Sequence, residues 1–197
     1  DASGNMSNGY MHDQNLQKKC PNLLNEIIIP KWFSQDLMQR TKSNSMNRYW
    51  NGYRDYWPSL FVGPGGSTMS YLHADWCDTH AWMGLMSGQK HWRIVPASNR
   101  SLLYESSINM NTFPTDIFTP NYDKYPTMRH VTVYDGILAP NEIILIPSAS
   151  AHQVRNLPGE TTVAIAMNYE IAVPPRSIDH MISGHTLTHS QLCWHEQ

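Results

Sequence analysis

The sequence predicts an all-β core, a barrel or double-sheet jelly roll, with helices at both chain ends. Short apolar runs of strand length recur from Ser59 to Asn168. Gly, Pro and Ser clusters punctuate them, as turns between short strands require. The 7 Trp, 10 Tyr and 4 Phe belong to a packed domain, and 197 residues suffice for one core without disulfide or metal staples.

The elements follow in order. Residues 1–20 are polar and aperiodic, and read as a flexible arm. A domain is expected over 21–173 and a helical tail over 174–197. Ile27–Ile29 run into Pro30, and Trp32 to Met38 carry brief helical spacing. Strands are expected at Ser59–Gly63, Tyr71–Asp75, Ala81–Met86 and Lys90–Val95, with Ser87-Gly88-Gln89 as a tight turn. Residues 97–130 are rich in Asn, Ser, Thr and Pro and read as a long surface excursion. Strand texture returns at His130–Tyr134, Glu142–Ile146, Ala151–Asn156 and Thr161–Asn168. The tail spaces Ile178, Met181 and Ile182 as a helix does, then places His185, His189 and Cys193 at intervals of four. A solvated or interface helix explains that tail more simply than a metal site.

Composition excludes several classes. Basic residues number 14 and acidic ones 16, a formal charge of −2, so no basic field marks nucleic acid or an anionic membrane as partner. No apolar run approaches the ~20 residues of a membrane-spanning helix. The 3 cysteines, Cys20, Cys77 and Cys193, are too few and too scattered for a disulfide framework. A soluble, intracellular protein is expected, in nucleus or cytoplasm. Nothing in the sequence sets its oligomeric state.

The chemistry concentrates in Gly63-Pro-Gly-Gly-Ser-Thr-Met-Ser-Tyr-Leu-His-Ala-Asp-Trp-Cys-Asp-Thr-His. His73 and Asp75 are two apart, so on a strand both side chains project from one face. His152, which opens a later strand after Pro147, is the best distal partner. Two imidazoles and one carboxylate leave three adjacent positions open on a metal, the arrangement of non-haem iron(II) oxygenases. The triplet alone is weak: a buried histidine bonded to a carboxylate explains it more simply. A keto-acid co-substrate would need a buried cation and a hydroxyl for its distal carboxylate. Lys90 reaches the same cavity if the strands at 80–86 and 90–95 form a hairpin, and Ser70 could add the hydroxyl. Taken alone, Lys90 is read more simply as a solvated strand-end charge.

Together these motifs resemble a family. Gly63-Pro-Gly-Gly-Ser…Ser70-Tyr-Leu-His73-Ala-Asp75…Ala81-Trp82…Ser87-Gly88-Gln-Lys90-His-Trp-Arg-Ile-Val-Pro96 is similar to the first half of a JmjC domain, in the cupin superfamily. Pro140-Asn-Glu-Ile-Ile-Leu-Ile-Pro147…His152-Gln-Val-Arg-Asn156-Leu and Thr162-Val-Ala-Ile-Ala-Met-Asn168-Tyr resemble its second half. The nearest likeness is to the small hydroxylase branch that includes the phosphatidylserine-receptor-type lysyl hydroxylase.

The resemblance implies a double-stranded β-helix. It implies Fe(II) held by His73, Asp75 and His152, and 2-oxoglutarate held by Lys90 and Ser70 with Asn156 nearby. It also implies dioxygen as oxidant, oxidative decarboxylation to succinate and CO2, and hydroxylation of a protein or peptide side chain. Three positions depart from the pattern: Met83 stands where relatives often carry Asn, Ala166 where a Thr contact occurs, and Asn141 where the turn usually has Gly. Three other functions stay open: an N-methyl-lysine or -arginine demethylase, a metal cupin without a keto acid, and a non-catalytic binding module. Tyr71, Trp76, Asp78 and the 97–130 excursion are the candidates for substrate recognition at the barrel mouth.

Overall fold

The computed structural model describes residues 9–33, 36, 57–68 and 70–170. Strands β1 (Met11–Asn15), β2 (Ser59–Gly63), β3 (His80–Ser87), β4 (Lys90–Val95), β5 (Tyr134–Leu138), β6 (Ile143–Ile146), β7 (Ala151–Asn156) and β8 (Thr162–Tyr169) form two antiparallel sheets. The larger has the order β1-β2-β8-β3-β6 and the smaller β5-β4-β7. Alternation builds the interior. In β2 the buried positions are Ser59, Phe61 and Gly63, and in β4 they include Lys90 and Trp92. Phe61, Met83, Leu85, Trp92, Val154 and Ala166 meet in the main core. Burying a Val, Leu, Phe or Met side chain fully contributes about 1.5–3 kcal/mol. The two-sheet β architecture is the one the sequence predicts.

Several elements depart from expectation. Residues 9–20 are not a free arm: β1 adds to the edge of β2, and a single helical turn, α1 (Leu16–Lys19), follows with Asn15 accepting from Lys18 N–H at 3.0 Å. The pairing steps from Met11↔Val62 to Gln14↔Leu60, so His12 and Asp13 together face Phe61. Asp13 takes φ 52° at this bulge. The polar run Met-His-Asp-Gln-Asn has no apolar alternation, so nothing local announces the strand.

Tyr71–Asp75 is not a strand. His73 alone bridges, to His152 on one side and Thr112 on the other. Ala74 N–H bonds to Asn111 O at 2.8 Å and Phe113 N–H to Leu72 O at 3.1 Å. The segment divides its backbone groups between two neighbours and so builds no ladder with either.

The turn at Gly88 (φ 74°) does not close a hairpin: β3 lies in the larger sheet and β4 in the smaller, so the turn carries the chain from one to the other. A Cβ on Gly88 would stand 2.9 Å from Thr162 Cα, which fixes glycine here.

Residues 97–130 are more than a surface excursion. They carry 3-10 turns at Ala97–Leu102 and Pro126–His130 and bury Leu103, Phe113, Ile117 and Met128 against Leu72 and Val95. The strand expected at His130–Tyr134 starts at Tyr134 instead, because Pro126 opens a 3-10 turn through His130. The expected C-terminal helix, with His185, His189 and Cys193, lies outside the described residues. No described helix is long and apolar enough to cross a membrane.

Candidate metal centre

Two segments, the stretch 71–75 and strand β7, bring His73, Asp75 and His152 together. The ligand-type atoms of the three lie within 4.8 Å of one another. His73 N–H donates to His152 O at 3.1 Å, and His152 N–H returns a bond to His73 O at 2.7 Å. The two rings sit 4.4 Å apart, tilted by 55°. Each Nδ1 faces a backbone carbonyl two residues earlier: Tyr71 O at 2.9 Å for His73 and Ser150 O at 3.2 Å for His152. A proton on Nδ1 satisfies that carbonyl and leaves the Nε2 lone pair for a metal. Burial pushes the His152 imidazole down to about 4, and neighbouring His73 pushes the same way, so His152 is neutral at pH 7.

Asp75 sits at the N-cap of the 3-10 turn Trp76–Asp78, yet its carboxylate makes no capping bond. Its Oδ2 is buried without a hydrogen-bond partner. A carboxylate oxygen left so beside two lone pairs fits a divalent cation.

A second cluster is built around Lys90, which is 0% exposed. Its Nζ donates to Asn156 Oδ1 at 2.8 Å and lies 3.4 Å from Thr162 Oγ1. Asn156 is oriented by Ser67 Oγ at 2.8 Å and Pro64 O at 3.3 Å. Burial lowers the Lys90 ammonium to about 7. The Nζ stands 5.9 Å from the centre of the Tyr10 ring. Tyr10 Oη is buried and unbonded, and burial with Asp13 nearby pushes its pKa up. A buried ammonium beside an unsatisfied phenol fits a carboxylate group, as the distal end of 2-oxoglutarate would supply. His152 and Asn156 share the inner face of β7 with about 13 Å between their Cα atoms, from the strand rise of ~3.3 Å per residue. One strand thus joins the two ends of the site.

The other expected residues fall as follows. Ser70 Oγ is buried but makes no hydrogen bond; the hydroxyl beside Lys90 belongs to Thr162. Met83 and Ala166 face each other across β3 and β8 and pack into the main core, so that wall is apolar. Tyr71 and Trp76 are exposed. Asp78 is not at the rim: it is buried and paired with Arg100 at 2.6 Å. Trp82 and Trp92 are core residues, and Trp92 lies 5.7 Å from the His152 ring. His80 Nδ1 accepts from Ser148 N–H at 3.1 Å, and His91 pairs with Asp135 at 2.8 Å.

Tyr10, His12 and Thr162 carry no signal in the sequence. The bulge on β1 sets the His12 ring 5.2 Å from Phe61, edge-on. Burial lowers the His12 pKa; Asp13 opposes that, and His73 and Lys90 add to it. His12 therefore lies within electrostatic reach of both ends of the site. A second glycine is explained here: a Cβ on Gly63 would stand 1.9 Å from Tyr10 Cδ2.

Comparison with known proteins is consistent with this geometry. The model of the cupin-like domain family matches residues 1–172. Lysine-specific demethylase JMJ21 of Arabidopsis thaliana is 30% identical over 166 residues, 81% of this chain and 16% of that protein. Arginine-specific demethylase JMJ20 of the same plant is 28% identical over 169 residues, 81% of this chain and 35% of that protein. The 2-oxoglutarate and iron-dependent oxygenase JMJD4 of Gallus gallus is 27% identical over 167 residues, again 81% and 35%. The chain spans between 16% and 35% of the length of these relatives.

Proposed function

The chain belongs to the cupin-like domain family, and from that premise we propose that it is a 2-oxoglutarate- and Fe(II)-dependent oxygenase of the JmjC kind that hydroxylates a protein side chain. The observation that carries this reading is the pairing of two sites on β7. One is a two-histidine, one-carboxylate set within 4.8 Å that includes His152; the other is a fully buried lysine on β4, hydrogen-bonded to Asn156 at the far end of the same β7 face. A metal cupin without a keto acid has no use for Lys90.

His73, Asp75 and His152 would hold Fe(II). Lys90, with Tyr10 Oη and Thr162 Oγ1, would hold the distal carboxylate of 2-oxoglutarate, and Asn156 holds the Lys90 Nζ in place. Ser70, whose Oγ is buried and unbonded three residues before His73, would supply a further hydroxyl. Iron with 2-oxoglutarate and dioxygen supplies oxidative decarboxylation to succinate and CO2, coupled to insertion of one oxygen atom into a C–H bond. The residues of this chain do the rest. The backbone bridge of His73 and His152 presets two lone pairs, and the carbonyls of Tyr71 and Ser150 keep their protons on Nδ1. The Lys90 ammonium neutralises the co-substrate at a point from which water is excluded. Met83, Ala166 and Phe61, packed in the main core, would give that space apolar surroundings.

The finer assignment is to the hydroxylase branch, with a protein or peptide substrate docking at Tyr71 and Trp76. The names of JMJ21 and JMJ20 favour a second reading, removal of an N-methyl group by the same C–H hydroxylation. Formaldehyde release from a methylated peptide separates the two. The site itself is tested by crystals soaked with Mn(II) and N-oxalylglycine. Density bridging the triad and Lys90 is expected; metal bound elsewhere, or an analogue that leaves Lys90 untouched, overturns the reading.

A further inference from the structure

We propose that Arg100, on the 97–102 turn outside the barrel, is a positioning residue that sets the affinity of the triad for its metal ion. The inference rests on reading the triad as a divalent-ion site.

Asp75 lies on no strand, so no ladder fixes it. An aspartate at an N-cap ordinarily turns its carboxylate back onto the N–H groups of the turn. Here the backbone is held instead. Asp75 O accepts from Asp78 N–H at 3.1 Å and from Asn111 Nδ2 at 2.7 Å, and the carboxylate makes no capping bond. Asn111 can donate only if its amide is turned the right way. Arg100 Nη2 donates to Asn111 Oδ1 at 2.6 Å, which forces Nδ2 toward Asp75. Glu105 completes the arrangement by accepting from Arg100 Nη2 at 2.5 Å and from Asn111 N–H at 2.8 Å.

The same guanidinium reaches the second ligand loop. Its Nη1 holds Asp78 Oδ1 at 2.6 Å. The Asp78 carbonyl accepts from the Ser148 hydroxyl at 2.5 Å and Ala149 N–H at 3.2 Å, in the turn that delivers His152. One planar fork therefore braces the backbones that carry Asp75 and His152. A lysine has its three donors on one nitrogen and no planar fork, so it does not span the separate positions that Nη1 holds at Asp78 and Nη2 at Glu105 and Asn111.

The test is calorimetric titration of Mn(II) without keto acid, well below the melting temperature, into native protein, Arg100→Lys, Asn111→Gly and Asp75→Ala. Glycine tolerates the φ of 64° at position 111 and removes only the side-chain link. Arg100→Lys and Asn111→Gly should each weaken Mn(II) binding by about 10-fold or more, the usual effect of losing a residue that orients a metal ligand. Near-UV circular dichroism should stay native in both, and the Mn(II) electron-spin-resonance spectrum of residual complex should broaden as the ligand set loosens. Native affinity in both folded variants overturns the proposal while leaving the triad reading intact. A native protein that binds no Mn(II), or an Asp75→Ala variant that binds as native does, overturns the triad reading itself.

Discussion

His73 and His152 exchange backbone hydrogen bonds at 3.1 and 2.7 Å, and this single bridge holds their rings 4.4 Å apart. The two residues are far apart in sequence, so the metal pair depends on tertiary structure, which is why a bound ion should report on the fold. Mn(II) at 100 times its dissociation constant should stabilise the protein by about 2.7 kcal/mol, by mass action. Thermal unfolding with and without a chelator measures the shift. His152→Ala should remove it; an equal shift in that variant would place the ion elsewhere.

Binding of 2-oxoglutarate should take up a proton near neutral pH. Burial lowers Lys90 to about 7, and a bound carboxylate raises it again. Affinity should be flat below pH 7 and fall as pH rises above it, as the free protein loses the charge that the complex retains. Calorimetry in buffers of different ionisation enthalpy counts the proton. Buffer-independent heats at pH 8 would show that Lys90 does not meet the carboxylate.

Lys90→Met should trade co-substrate binding for stability. The folded Lys90 value of about 7 lies below its ordinary 10.5, so the unfolded chain binds more protons between those values. Native stability therefore carries the full cost of the buried charge below pH 7 and regains it as pH rises toward 10.5. The variant lacks this term. Its stability relative to native should fall by roughly 2–3 kcal/mol between pH 7 and pH 9, at about 1.36 kcal/mol per pH unit. Chemical denaturation at both pH values checks this; a pH-independent difference would mean that the ammonium is solvated.

Tyr10→Phe should raise the KM for 2-oxoglutarate while leaving the unliganded protein as stable as before, since Oη has no partner to lose. One hydrogen bond to a charged group corresponds to about 1.5–3 kcal/mol, or roughly 10- to 100-fold in KM. Gly63→Ala should raise KM further by displacing the Tyr10 ring, with Mn(II) affinity unchanged. Turnover measured against 2-oxoglutarate concentration decides; unchanged KM in both variants would remove Tyr10 from the site.

Much of this site is legible in the sequence. The strands at 59–63, 90–95 and 151–156 follow from alternation and turn residues, and Lys90 falls inside because the Gly88 turn fixes the start of β4. Other parts are held by contacts remote in sequence. His73 and Asp75 converge through single bridges and side-chain bonds to Asn111, which no i, i+2 rule encodes. β1 exists because β2 offers an edge, so Tyr10 and His12 are hidden in a polar run. Asp78 reads as a rim charge until Arg100 is seen to bury it.

The most direct test is succinate production from 2-oxoglutarate by Fe(II)-loaded protein, set beside the same assay on folded His152→Ala. The account predicts succinate from the native protein, lost on chelation of iron, and none above background from the variant. Equal turnover by both would contradict it.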